Sequence, residues 1–211
     1  MSNSVNESVN STDLNYLREI AESGQASPLL GGRFLAWWGG LTTLAYAGHW
    51  LIASDMLGLD ASAYGWLWSI FLVLGIGGQI VLVRTFPAGK PGASSMGNRA
   101  EQVVWQAAGF ALFAYFAPLM LKSFASGNAD MGFAWSFAVV FMLYGVALIT
   151  TGALGESQVL QRAGIASLCL VPLATWFAGT VTSWLLASVG AAVCVLLPGL
   201  VLLKHEPKGV E

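Results

Sequence analysis

The sequence predicts an all-α membrane protein: a bundle of six transmembrane helices preceded by a short N-terminal amphipathic helix. Two observations support this fold class. Apolar residues make up 56% of the 211 residues and charged residues only 9%, whereas a soluble domain carries about 25% charged residues. The few charged residues also stand far apart, with uncharged gaps of membrane-spanning length between them. A surface that faces lipid accounts for both observations.

Four of the uncharged gaps have the length of one membrane crossing. They cover residues 34–54, 61–83, 102–121 and 131–155, and a helix needs about 20 apolar residues to cross the hydrocarbon core. A fifth gap, 163–203, would as one helix be about twice as long as the core is thick, so we expect a hairpin in it near Gly179. The six predicted helices are approximately 33–54, 62–85, 101–122, 131–154, 160–178 and 182–204. Five crossings, with one re-entrant gap, is the alternative.

The positions of lysine and arginine predict the orientation. If the N-terminus is cytoplasmic, every lysine and arginine except Lys122 falls on the cytoplasmic side, and the outer loops carry Asp55, Asp60 and Asp130 instead. This distribution follows the positive-inside rule. Residues 1–30 contain no apolar signal-peptide segment. We therefore expect both termini in the cytoplasm and the chain in a bacterial inner (plasma) membrane.

The segments outside the bilayer are short. Residues 1–12 are predicted to be a disordered cytoplasmic tail, 13–30 an amphipathic helix and linker, 31–205 the transmembrane domain and 206–211 a second cytoplasmic tail. Leu14, Leu17 and Ile20 recur at helical spacing in the amphipathic segment. A helix this short is unstable alone in water, so these three residues are candidates for contact with a partner, the lipid surface or the bundle itself.

The even-numbered helices show a recurring pattern. Trp68, Trp135 and Trp184 stand near the outer ends of predicted helices two, four and six, and a small residue follows ten positions later in each case. One interpretation is three repeated helical hairpins. The other is that tryptophan favours membrane interfaces and small residues favour helix contacts without any duplication.

Polar residues inside the predicted spans are the candidates for function. They are Gln79, Gln106, His49, Tyr115 and Tyr144. A buried amide either joins two helices by hydrogen bonds or lines a polar path. His49 fits either a proton-linked switch or ligand, or an interfacial side chain near the outer end of helix one.

Several functional classes lack their residues. No basic cluster is present for nucleic acid, and no family motif stands out. Cys169 and Cys194 lack CxxC spacing and are expected to be small buried residues, and the two histidines lie at opposite faces of the bilayer, so no metal site and no cofactor is predicted. The sequence also lacks the HExxH and Gly-x-Ser-x-Gly motifs and the paired aspartates of membrane enzymes.

A non-catalytic interaction or regulatory module in the membrane is therefore the leading functional hypothesis. Its partners would be the lipid bilayer and either another membrane protein or a second copy of the chain. Small-residue faces on helix one (Gly39, Thr43, Ala47) and helix six (Ala187, Ala191) favour close helix packing, internal or external. The alternatives are a small-solute transporter or channel with a polar path near Gln79 and Gln106, and an enzyme with His49 as its base.

Overall fold

The computed structural model describes residues 28–86, 95–126 and 131–206, and every regular element within these ranges is helical. The fold class expected from the sequence, an all-helical protein, is confirmed. Leu14, Leu17 and Ile20 of the predicted amphipathic helix lie outside the described residues. The helices are α1 (Gly32–Ala53), α2 (Ser62–Arg84), α3 (Met96–Ser126), α4 (Ser136–Leu154, preceded by a 3₁₀ turn at Met131–Trp135), α5 (Gln158–Trp176) and α6 (Val181–His205).

Five of these helices, α2 to α6, are long and apolar enough to cross a membrane, counting the 3₁₀ turn with α4. This set of helices is compatible with a multi-pass membrane protein. α1 is of similar length, at 22 residues, but it is less apolar. Three tryptophans, a histidine and a pair of threonines take positions that aliphatic side chains occupy in the other helices. Of these polar groups, Trp38 and His49 are hydrogen-bonded to α2, as described below.

α1 occupies a central position, packed against α2 on one side and α6 on the other. Glycines bring the backbones of α1 and α6 into contact. A Cβ atom on Gly39 would lie 2.5 Å from the backbone nitrogen of Leu196, and one on Gly199 would overlap the backbone of α1. The Ser188 hydroxyl donates to the Thr43 carbonyl over 2.9 Å. The small-residue faces noted in the sequence are therefore used within the chain.

α6 is continuous but irregular. Residues Val181–Ala191 and Leu197–His205 are α-helical, and Ala192–Leu196 form a π-helical turn between them. Pro198 provides the physical reason, because it has no N–H and its ring crowds the carbonyl of the residue four positions earlier. An inserted π turn accommodates both effects.

α4 and α5 form the most extensive helix pair. A Cβ atom on Gly164 would lie 2.8 Å from the carbonyl oxygen of Gly145, and one on Gly152 would lie 2.7 Å from the backbone nitrogen of Gln161. The buried Ser167 hydroxyl donates to the Phe141 carbonyl over 2.9 Å. The apolar core lies beside this pair, where the fully buried side chains are Phe137, Phe141, Leu148 and Leu160.

α2 and α3 are peripheral. α2 packs chiefly against α1, and α3 chiefly against α4. Within the most apolar part of each, only 6% of the residues are buried. Most of the surface of both helices is therefore available to lipid or to another protein.

Successive helices run in alternating directions. The Arg33 guanidinium donates to the Thr85 carbonyl over 3.2 Å, which joins the start of α1 to the end of α2. Gly97 at the start of α3 approaches Gly155 at the end of α4, and the end of α6 lies beside the start of α1. We call the side defined by Arg33, Thr85, Gly97 and Gly155 the inner face. Both ends of the described chain, residues 28 and 206, lie there.

The surroundings of the tryptophans and of the cysteines bear on two predictions from the sequence. Trp68 and Trp184 both pack against Tyr46, whereas Trp135 is 48% exposed; the three tryptophans thus have different surroundings, and the repeat stays a prediction. The expectation that both cysteines are buried is wrong for Cys169, which is exposed on α5, while Cys194 is buried. Cys169 follows Ser167 by two residues, about 200° around the helix, and Ser167 faces α4.

Candidate functional site

His49 lies in an aromatic cluster formed by α1, α2 and the start of α6. Its ring stacks on Trp184, with centroids 3.6 Å apart and an interplanar angle of 23°. Tyr64 lies on another side, with a centroid distance of 4.5 Å. Trp68 Nε1 donates to His49 Nδ1 over 3.1 Å. Because Nδ1 accepts this bond, it carries no proton there, and a neutral imidazole has its proton on Nε2. The protein itself therefore fixes the ring orientation.

Tyr46 extends this cluster into the interior. Its ring packs edge-on against Trp68, with centroids 5.9 Å apart, and lies 5.8 Å from Trp184. The side chain is 2% exposed, and its hydroxyl faces Ser136 on α4. Ser136 Oγ has no other hydrogen-bond partner among the described residues. Tyr46 thus links the outer aromatic cluster to a buried polar region.

Tyr144 lies one layer further toward the inner face. Its hydroxyl faces Thr42 on α1, whose Oγ1 has no other hydrogen-bond partner among the described residues. Trp105 on α3 packs edge-on against its ring at 5.6 Å, and the indole nitrogen of Trp105 is buried without a partner among the described residues. Three helices thus contribute polar side chains to one buried region.

Glu101 completes this set at the inner face. The side chain is only 5% exposed and lies one helical turn before Trp105. Its carboxyl group lies directly against Gly31, where a Cβ atom would overlap it, and the Gly31 N–H donates to it. The other oxygen, Oε1, is buried with no hydrogen-bond partner in the described part of the chain. A carboxyl group at the start of α1 interacts favourably with the helix dipole.

We call Glu101, Trp105, Tyr144, Thr42, Tyr46 and Ser136 the polar column. It follows the faces of α1, α3 and α4 from the inner face toward His49. Of the polar column, only Tyr144 is among the candidate site residues that the sequence predicts. Glu101 was read as the boundary of a span, although the adjacent glycines at 31 and 32, which leave room beside the helix start, are a signal visible in the sequence.

The remaining candidates are not in the column. Gln79 Oε1 accepts a bond of 2.9 Å from Trp38 Nε1, which joins α2 to α1. The Tyr115 hydroxyl donates to the Gly132 carbonyl over 2.7 Å, which joins α3 to the 3₁₀ turn. Gln106 is exposed on α3. The structure does not bring Gln79 and Gln106 together, because Gln79 faces α1 and Gln106 faces outward.

Within residues 28–86, 95–126 and 131–206, no group of three or more His, Cys, Asp or Glu side chains is arranged to hold a metal ion. Comparison with known proteins adds no assignment: no protein-family model, no curated protein and no solved structure matches this chain. Function must therefore be argued from the geometry.

Proposed function

We propose that the chain crosses a plasma membrane six times, with both termini in the cytoplasm. The alternating helix directions support this, because they place both ends of the described chain at the inner face. α1 is long enough to cross a membrane. Its polar side chains Trp38 and His49 are hydrogen-bonded to α2. The inner face also carries arginine or lysine at the ends of most helices, as the positive-inside rule requires.

We propose further that the protein is a non-catalytic interaction or regulatory module that binds another transmembrane helix through α3. One observation carries this proposal. Gln106 is exposed on a membrane-spanning helix, and Gly109, one turn later on the same side, has no atom of another element within 4 Å of its Cβ position. Phe113 continues this side of the helix and is 71% exposed. We call Gln106, Gly109 and Phe113 the α3 stripe.

Both the glutamine and the glycine are costly where they are. An amide facing hydrocarbon lacks the hydrogen bonds that water would provide. Glycine within a helix is about 1 kcal/mol less favourable than alanine, and at position 109 no neighbour among the described residues requires it. A partner helix lying on the α3 stripe would use both, since small residues permit close approach and amides bond across membrane helices.

The test uses photo-crosslinking in native membranes. A benzoylphenylalanine is placed at Phe113 on the α3 stripe or, as the matched control, at Val73 on α2; both native side chains are 71% exposed. We expect a discrete protein adduct from position 113 only, and its mass distinguishes a second copy from a different protein. Because the amide supplies a hydrogen bond to the partner, Gln106→Leu should reduce the yield of this adduct.

Two outcomes contradict the proposal. One is that position 113 yields no protein adduct although it crosslinks to lipid. The other is that positions 113 and 73 yield the same adducts, which would indicate nonspecific encounters in the membrane.

A further inference from the structure

The residues directly before α1 are buried although they belong to no regular element. Residues 28–31, which we call the inner strap, lie at the inner face, and Leu29 and Leu30 are only 4% and 1% exposed. Irregular segments usually run over the surface, because their backbone polar groups need partners. Specific contacts with the surrounding helices therefore hold the inner strap in place.

Leu29 fills a notch between the start of α3 and the end of α4. Two glycines form this notch, since a Cβ atom on Gly97 would lie 3.3 Å from the Gly155 Cα atom. A Cβ atom on Gly155 would lie 2.6 Å from Leu29 Cδ1, and one on Gly97 would lie 3.5 Å from Leu29 Cδ2. The Leu29 side chain thus packs over the point where α3 meets the end of α4.

Two side chains of α3 bind the backbone of the inner strap. The Leu30 N–H donates to Asn98 Oδ1 over 2.8 Å, and Asn98 Nδ2 donates to the Pro28 carbonyl over 3.0 Å. About one helical turn later, Glu101 accepts a hydrogen bond from the Gly31 N–H. Three backbone groups of the strap are therefore paired with the first turns of α3.

These contacts hold the inner end of a helix that is otherwise loosely attached. α3 packs chiefly against α4, and only 6% of its most apolar part is buried. Near the outer face, the Tyr115 hydroxyl holds α3 to the 3₁₀ turn. The α3 stripe begins at Gln106, five residues after Glu101, which is about 8 Å along the helix axis. The inner strap therefore fixes the end of α3 that carries the exposed amide.

We propose that the inner strap is a conformational latch for partner binding: seated between α3 and α4, it holds the α3 stripe in the position that the partner helix recognises. Its withdrawal frees the inner end of α3 and weakens partner binding. Asn98 and Glu101 are positioning residues, because neither belongs to the stripe. The latch rests on the interaction function proposed above and supplies its regulation. A molecule that binds the chain more tightly when the strap is withdrawn shifts the equilibrium toward the freed state.

The first test measures distances between pairs of spin labels in the full chain in nanodiscs, in a background without the native cysteines. The inner pair is at Val103 on α3 and Val159 on α5, and the outer pair is at Leu121 on α3 and Val181 on α6. All four native side chains are at least 40% exposed. Asn98→Ala removes both amide bonds to the strap, so it should broaden the inner distance distribution and leave the outer one unchanged. Broadening of both distributions, or of neither, overturns the proposal.

The second test measures the adduct from benzoylphenylalanine at position 113. Glu101→Leu removes the acceptor of the Gly31 N–H, and we expect the adduct yield to fall roughly fivefold, the equilibrium factor that one net hydrogen bond supplies. Glu101→Gln keeps a carbonyl oxygen as the acceptor, so it should retain most of the yield. An unchanged yield in Glu101→Leu, or an equal loss in Glu101→Gln, overturns the proposal.

The matched control is Ser167→Ala, which removes a buried hydroxyl bonded to the Phe141 carbonyl, between α4 and α5. It should leave both distance distributions and the adduct yield unchanged; a loss of yield equal to that in Glu101→Leu would overturn the latch. Absence of any adduct from the otherwise unmodified chain contradicts the interaction function itself. An adduct whose yield does not respond to the Asn98 and Glu101 variants contradicts the latch alone.

Discussion

At the scale of single residues, the two intramembrane glutamines illustrate how position decides the role of the same side chain. Gln79 faces α1 and accepts from Trp38 Nε1 over 2.9 Å. Room for this contact comes from Gly75, where a Cβ atom would lie 2.6 Å from the Trp38 ring. Gln106 has the same amide but is exposed on α3. The first amide stabilises the bundle, and the second is available to a partner.

The Trp38–Gln79 hydrogen bond should be measurable by a double-mutant cycle. Trp38→Phe and Gln79→Leu each remove one side of the bond, and the double variant removes both. We expect a coupling energy of about 0.6 kcal/mol, with about 1.7 kcal/mol as the upper limit seen for such bonds, in unfolding by sodium dodecyl sulfate titration. Additive single effects would show that the bond contributes nothing to stability.

The sequence predicts which polar residues lie within membrane spans, but it does not predict which neighbouring helix each of these side chains faces. Under the transporter alternative Gln79 and Gln106 would border one path, whereas the helices that carry them pack against different neighbours. Glu101 marks the boundary of a predicted span in the sequence and is only 5% exposed in the structure. Helices that are apolar on all sides lack a polar stripe to fix their rotation, so the facing of each side chain depends on tertiary packing.

At the scale of helices, α1 and α6 are held together by backbone contact. Close approach through small residues is the usual basis of membrane-helix packing, because lipid chains compete equally well for large apolar side chains. Gly39 lies against the π-helical turn of α6, so the most irregular part of α6 lies at one of the close backbone contacts with α1.

Adding a single methyl group at this contact should be destabilising. Gly39→Ala places a Cβ atom 2.5 Å from the Leu196 backbone nitrogen, and backbone cannot move aside as a side chain can. We expect the free energy of unfolding to fall by about 1–3 kcal/mol, as for overpacked cores, in the same denaturant titration.

Gly77→Ala on α2 is the matched control for this prediction. Apart from the backbone of its own helix turn, no atom of the described residues lies within 4 Å of its Cβ position, so alanine should be neutral or stabilise the helix by up to about 1 kcal/mol. Equal losses in the two variants would contradict the proposed role of α1–α6 contact.

The helices themselves are largely predictable from the sequence, whereas their irregularities are only partly so. Charge spacing marks where apolar segments begin and end, and the turn at Gly179, with a φ of +78°, falls where small and polar residues predict a hairpin. The π turn in α6 has one sequence signal, Pro198, but proline permits several local solutions. Which solution forms depends on the contact with α1.

At the scale of the whole molecule, the arrangement combines a tightly packed centre with two loosely attached helices. α1 and α6 on one side and α4 and α5 on the other contain most of the buried side chains, and α2 and α3 lie outside them. The polar column lies inside this arrangement and the α3 stripe on its outside. The α3 stripe and the polar column therefore lie on different sides of the same helix.

The membrane class was predictable from composition, because 9% charged residues cannot cover a water-exposed surface. The crossing of α1 is harder to predict from hydropathy. Its tryptophans and histidine are polar when counted singly, and only the contacts with α2 and α6 show that Trp38 is hydrogen-bonded and that His49 is hydrogen-bonded and stacked within the bundle.

The most direct test of the six-crossing architecture is cysteine accessibility in intact cells, in a background with Cys169 and Cys194 replaced by alanine. Gly58→Cys reports on the α1–α2 loop and Glu156→Cys on the α4–α5 turn; both native residues are exposed. Six crossings with cytoplasmic ends predict that an impermeant thiol reagent labels position 58 directly and position 156 only after permeabilisation. Labelling of both positions from the same side would contradict the account.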